Sequence, residues 1–244
     1  MCLLVIALNA SDRFPLIAVH IRDEDPERVS TPLRMHDDGL VYSKDVRGGG
    51  SAVAWNPKRG TIAFLNNLHE PVYERENVGS RGRITLAAAL SGQKGVDFLS
   101  ETALFNPFQC FIIESTDLYN QFQVTILRQS MGVIEVEHLS GHQIVAFGNT
   151  RQQSERCNVA KDLIDKVIHS TLTDLDDVCK SILNCLSPVL LKPYINPTSI
   201  PMCSREQTIF IYDNQTACMR ERHISWHNDI PTFSDLSPPL VCNS

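Results

Sequence analysis

Residues 2–8 read CLLVIAL and residues 16–22 read LIAVHIR, with NASDRFP between them. Two short, branched-rich apolar runs on either side of a turn-like heptad predict two antiparallel strands forming a buried hairpin. If the loop 9–15 closes without a bulge, Leu8 faces Leu16 and partners sum to 24, which sets Cys2 across from Arg22. A slip of one residue would bring Asp23 opposite instead.

Working outward, AVAWN (52–56) and TIAFLN (61–66) flank NPKRG and predict a second hairpin. The spacing lengthens toward helix over 83–90 and 96–104, and strands are expected at 109–115, 121–128, 133–138 and 143–147. In SERCNVAKDLIDKVIHST the residues Val159, Ala160, Leu163, Ile164, Val167 and Ile168 mark one helical face. In TDLDDVCKSILNCLS, Leu175, Val178, Cys179, Ile182 and Leu186 form a second stripe behind a Thr173 cap. After the proline-containing segment 187–201, strands return at 208–213 and 216–223, joined by Asn214 and Gln215. The expected architecture is α+β, a four-layer αββα sandwich of two antiparallel sheets with helices outside. It forms a single domain over 1–223 with an irregular tail over 224–244.

The chain has 244 residues, 43% hydrophobic and 20% charged, enough for one sizeable core. A net charge of -6 without a basic stripe excludes phosphate-backbone recognition, so no nucleic-acid partner is expected. The eight cysteines form no C-x-x-C pair and are read as reduced thiols. The apolar run Leu3–Leu8 lacks a basic flank and is too short to span a bilayer, so no signal peptide or transmembrane segment is expected. No metal ligand set is expected: the eight histidines never fall into H-E-x-x-H or paired Cys/His spacing. His20 is accordingly read as structural rather than as a haem or metal ligand.

Directly opposed side chains on paired strands have Cβ atoms about 5 Å apart, near enough for the Arg22 guanidinium to favour a Cys2 thiolate. Removal of Met1 would free an α-amine that can take the thiol proton, so one residue would supply nucleophile and base. With Met1 in place that nitrogen is an amide and the route is closed. This is the logic of the N-terminal nucleophile (Ntn) hydrolases. The alternative is that Cys2 is a small apolar strand residue.

The order of several segments resembles the transport and Golgi organisation protein 2 family, also called the NRDE family. They are the MC start, IRDE (21–24), GGGSAVAWNPKRGTIAFLNN (48–67), SRGRIT (80–85), VAFGN (145–149) and SREQTIFIYDNQTACMRERHI (204–224). The chain departs from the family pattern at Ile21, where the motif has Asn, and in the stretched GGGSAVAW. The resemblance implies an Ntn-hydrolase-like fold and a role in secretory-pathway organisation, or in trafficking of haem or handling of acyl-CoA and lipid. It places the protein in the cytoplasm, mitochondrion or Golgi rather than outside the cell. No cofactor is required, haem being a transported ligand, and the expected partner is a small hydrophobic anion.

With the resemblance, Arg22 and Asp23 are read as site residues that orient the Cys2 amine or a ligand carboxylate, the alternative being a strand-end ion pair. Asn67 and Asn149 either donate N–H groups to a developing oxyanion or satisfy turn backbone. Gly48, Gly49, Gly50 and Ser51 form either an anion nest or, more simply, a turn bordering the pocket. Arg81 and Arg83 either hold CoA phosphates or haem propionates or, as the simpler account, form a solvated basic turn. Two functions compete: carriage of a hydrophobic anion, and cleavage of a non-peptide amide by Cys2.

Overall fold

The computed structural model describes residues 2–9, 12–69, 78–115, 121–130, 133–170, 174–195, 201–213 and 216–243. In chain order the strands and helices are β1 (Leu3–Leu8), β2 (Leu16–Glu24), β3 (Arg34–Met35), β4 (Val41–Tyr42), β5 (Val53–Asn56), β6 (Thr61–Asn67), α1 (Gly82–Ser91) and α2 (Gln93–Thr102). Then come β7 (Phe108–Ser115), β8 (Phe122–Ser130), β9 (Val133–Leu139), β10 (Gln143–Phe147), α3 (Glu155–Ile168) and α4 (Leu175–Cys185). The chain closes with β11 (Tyr194–Ile195), β12 (Pro201–Asp213), β13 (Thr216–His227), β14 (Ile230–Phe233) and β15 (Leu240–Asn243).

Two compact units emerge, residues 1–27, 142–148 and 152–244 in the first, 28–141 and 149–151 in the second. Each unit takes residues from separate stretches of chain, so no single linker sets them apart.

In the first unit the sheet order is β10-β1-β2-β12-β13-β14, with β11 on β12 and β15 on β13. The opening hairpin has the expected register, running from Leu8↔Leu16 to Leu3↔Ile21. Both faces of β1 are buried, which is why its sequence is a continuous apolar run rather than an alternating one. One face carries Val5, Ile17, Val19, Ile21, Ile209 and Ile211, which pack against Ala160 and Ile164 of α3 and Val178, Ile182 and Leu183 of α4.

Helix α3 starts at Ser154, whose hydroxyl accepts the Cys157 amide at 3.3 Å. Val159, assigned from sequence to its buried stripe, is instead 38% exposed. The cap of α4 is Asp174, which accepts the Asp177 amide at 3.1 Å; the expected Thr173 cap and the Asn214–Gln215 turn lie outside the described residues. At the other end of α4, Arg222 donates to the Leu183 carbonyl and the Asn184 side chain, both at 2.8 Å. A cation meets the negative end of the helix there.

The stretch from 224, expected to be irregular, is so over 234–239, whereas β13 continues to His227, β14 pairs with it over 224–233 and β15 pairs with its start. Polar and proline-rich sequence is tolerated there because these are short edge strands, which need little apolar burial of their own.

The second unit is an antiparallel meander, β3 to β9 in sequence order, with α1 and α2 packed on it through Ile84, Ala88, Ala89 and Val96. The expected hairpin 52–66 pairs Asn56 with Thr61 around Gly60 at φ 66°. Strands β3 and β4, two residues each, carry too little pattern to be read from sequence. The Cys2, Cys110, Cys157, Cys179, Cys185, Cys203 and Cys218 thiols are free. Among the described residues no helix is long and apolar enough to cross a membrane.

Candidate functional site around Cys2

Continuing the β1–β2 register by one residue places Cys2 opposite Arg22, on the sheet face that alternation turns away from α3 and α4. Cys2 is buried, and its Sγ lies 4.0 Å from the carbonyl oxygen of Asp23. Burial pushes its thiol up; the positive charge of the amino terminus and the contact with the Asp23 carbonyl pull against this, while the negative charges of Asp23 and Glu24 add to it.

Arg22, expected from the register to favour a Cys2 thiolate, has carboxylate partners. Arg22 donates to Glu206 Oε1 at 3.0 Å and stands 3.7 Å from Glu24 Oε2, so its charge is directed at carboxylates.

Asp23 alternates to the helix-bearing face, and its side chain is 0% exposed. Arg156 of α3 grips it with two guanidinium nitrogens, at 2.5 and 3.2 Å, and donates Nε to the Val189 carbonyl at 2.7 Å. Ser204 of β12 donates its hydroxyl to Asp23 Oδ1 at 2.6 Å and accepts the Leu191 amide at 2.8 Å. Such a bidentate, charge-assisted arrangement fixes the end of β2, and with it the carbonyl that faces the Cys2 sulfur. Arg22 and Asp23 are thus neighbours with divided tasks on opposite faces of the sheet.

Arg156, Ser204 and Glu206 escaped the sequence reading. Arg156 sits in a helix whose visible signal is its apolar stripe. Ser204 and Glu206 lie more than 180 residues from their partners, beside a bulge that sets Ser204 opposite Asp23 and Glu206 opposite Arg22. The nearest sequence signal is SREQ, which carries the family likeness and no spacing that predicts these contacts.

The remaining candidates belong to the second unit. Asn149 donates Nδ2–H to the Asn67 carbonyl at 2.6 Å, and its own carbonyl accepts the His69 amide at 2.7 Å. The two asparagines are brought together as a backbone tie at the end of β6, and the buried Asn149 Oδ1 has no hydrogen-bond partner. An unsatisfied buried acceptor suits a donor on a ligand better than an oxyanion.

At Gly48–Gly50, Asp45 accepts the Gly48 amide on its carboxylate at 2.5 Å and the Gly49 amide on its carbonyl at 2.9 Å, so an internal group already occupies two of the turn's donors. Gly49 has φ 72°, and a Cβ on Gly50 would stand 2.3 Å from the Gly82 carbonyl carbon. These glycines let the turn lie against the start of α1. Arg81 donates to the Pro107 carbonyl at 3.1 Å, whereas Arg83 is exposed. His20 is fully buried opposite Leu4 and Thr208. Among the described residues no cluster of three or more His, Cys, Asp or Glu could hold a metal ion.

Comparison with solved structures defines the class of fold. The mutant C2A conjugated bile acid hydrolase from Clostridium perfringens aligns over 96% of this chain and 92% of its own, with a TM-score of 0.55 at 9% identity. The fold is therefore α+β and Ntn-hydrolase-like, as the sequence led us to expect. The Transport and Golgi organisation 2 family profile matches residues 1–222, and the chain belongs to that family. Comparison with curated proteins gives no match.

Proposed function

We propose that the protein binds and carries a small hydrophobic anion of the haem or acyl-CoA and lipid class at the head of β1, within its family's part in transport and Golgi organisation. The observation that carries this reading is the geometry at Cys2, which is buried while the Arg22 guanidinium across from it is engaged by Glu206 at 3.0 Å and stands 3.7 Å from Glu24. Nucleophilic cysteines sit in electropositive, partly exposed surroundings, and this one does not. The same sheet face carries Cys2 and Arg22 at one end, then the row of Leu4 and His20, and beyond it the fully buried Ile6 and Ala18. Titration of the full chain with haem and with a long-chain acyl-CoA, read by calorimetry, tests the reading. Saturable binding with the ligand recovered intact supports carriage; no saturable binding of either removes it.

A second reading draws on the same register and on the fold shared with a bile acid hydrolase. With Met1 removed, the free Cys2 amine would take the thiol proton and the sulfur would attack an amide carbonyl; the C–N bond would break as that proton passes to the departing amine, and water would then hydrolyse the thioester to free the acid and the thiol. Intact mass of protein from its native host tests this: retained Met1 excludes it, while loss of Met1 together with an acyl-amide adduct absent from Cys2→Ala supports it.

A further inference from the structure

Four strands of the first sheet place one polar side chain each in a single cross-strand row. Cys2 stands opposite Arg22 when the β1–β2 register is continued, Arg22 is paired with Glu206, and Glu206 with His223. All four share the face turned away from α3 and α4. The adjoining row is Leu4, His20, Thr208 and Glu221.

Charges in these rows are tied together. Arg22 donates to Glu206 at 3.0 Å, and the two side chains are each 8% exposed. His223 approaches Glu206 at 4.0 Å with Nδ1 and Glu221 at 3.6 Å with Nε2, while Thr208 donates to Glu221 at 3.2 Å. Glu24 stands on the other side of Arg22 at 3.7 Å. Asp23, a further charge near the sulfur, is held on the opposite face by Arg156, and the positive amino terminus also acts on the thiol.

We infer that Glu206 is a positioning residue which draws the Arg22 guanidinium away from Cys2 and so keeps the thiol protonated and unreactive. This deepens the carriage reading and rests on it in one respect, that Cys2 lies at the ligand site. A guanidinium opposite a thiol on paired strands is near enough to stabilise a thiolate. Here the neighbour on the far side is a carboxylate of equal burial, and the cation turns to it. The Ntn framework is present, and one residue from β12 holds its cysteine in the inactive ionisation state.

The test is the alkylation rate of Cys2 in the native full chain against iodoacetamide, followed by peptide-resolved mass spectrometry across pH 6–9. Glu206→Gln keeps the shape and a polar contact but removes the charge. It is expected to speed Cys2 alkylation at pH 7.5 by about tenfold, the effect of lowering a thiol pKa by one unit. Glu24→Gln, at a partly exposed position, should act in the same direction and more weakly, and serves if Glu206→Gln fails to fold. In Arg22→Gln/Glu206→Gln the acceleration should vanish, because the cation that would stabilise the thiolate is gone. An unchanged or slower rate in the folded charge-removing variants overturns the inference. So does acceleration that persists in the double variant, which would mean simple loosening of the strands. Alkylation reads Cys2 without any ligand, so failure of the haem or acyl-CoA titrations is a separate result.

Discussion

Arg156→Met strips a fully buried carboxylate of its bidentate partner. The Asp23 side chain is 0% exposed and Arg156 is 16% exposed, so the stranded charge has little water to turn to. Removing one member of a buried pair costs about 3–5 kcal/mol, and loss of the Nε bond to the Val189 carbonyl adds about 1 kcal/mol. The Ser204 hydroxyl still donates to Asp23, which holds the expected total to about 3–4 kcal/mol. For a chain of this size that corresponds to a fall in Tm of roughly 6–16 °C, measurable by circular dichroism. The double variant Arg156→Met/Asp23→Asn removes the stranded charge and should recover about half of the loss, a coupling well above the ~0.5 kcal/mol scatter of independent sites. A loss under about 1 kcal/mol for Arg156→Met, or strict additivity in the double variant, would show that the clamp does not hold β2.

Three further outcomes follow from the same coordinates. Ser204→Ala leaves the Leu191 amide without its acceptor and should cost about 2 kcal/mol in urea unfolding. Gly50→Ala forces a Cβ against the Gly82 backbone, which no side-chain rotation relieves, and should cost at least about 2 kcal/mol with α1 displaced. Burial pushes the Cys110 thiol up to about 12 from 9.0. The folded state then keeps a proton the unfolded state loses above 9.0, so this contribution is intact below pH 9 and is lost as pH rises toward 12. Stability should fall between pH 9 and 11 by up to about 1.4 kcal/mol per unit from this thiol, and Cys110→Ala should flatten that slope in urea titrations.

Much of the fold was legible because burial leaves period and run length in the sequence. The opening hairpin could be read to its register, since a one-residue slip would have reversed every side chain of two apolar runs. Helices α3 and α4 were visible through their stripes, although Val159 turned outward. Strands β14 and β15 within the tail were not legible because they are edge strands whose order comes from pairing with β13 rather than from their own hydrophobicity. At the site, Cys2, Arg22 and Asp23 could be named, but not the division of labour between the last two. That division follows from strand alternation combined with partners that only the fold brings near: Arg156 to Asp23 and Glu206 to Arg22. A bulge between Ser204 and Glu206 sets which of the two meets which partner, and no residue pattern announces it.

The claim that the head of β1 is where a hydrophobic anion docks is tested most directly by photolabelling. An acyl-CoA carrying a diazirine in its acyl chain would be bound to the full chain, irradiated and mapped by peptide mass spectrometry. Saturable labelling of residues 2–8 and 16–24, competed by unlabelled acyl-CoA or haem, is the predicted result. Saturable labelling that avoids both segments would contradict it.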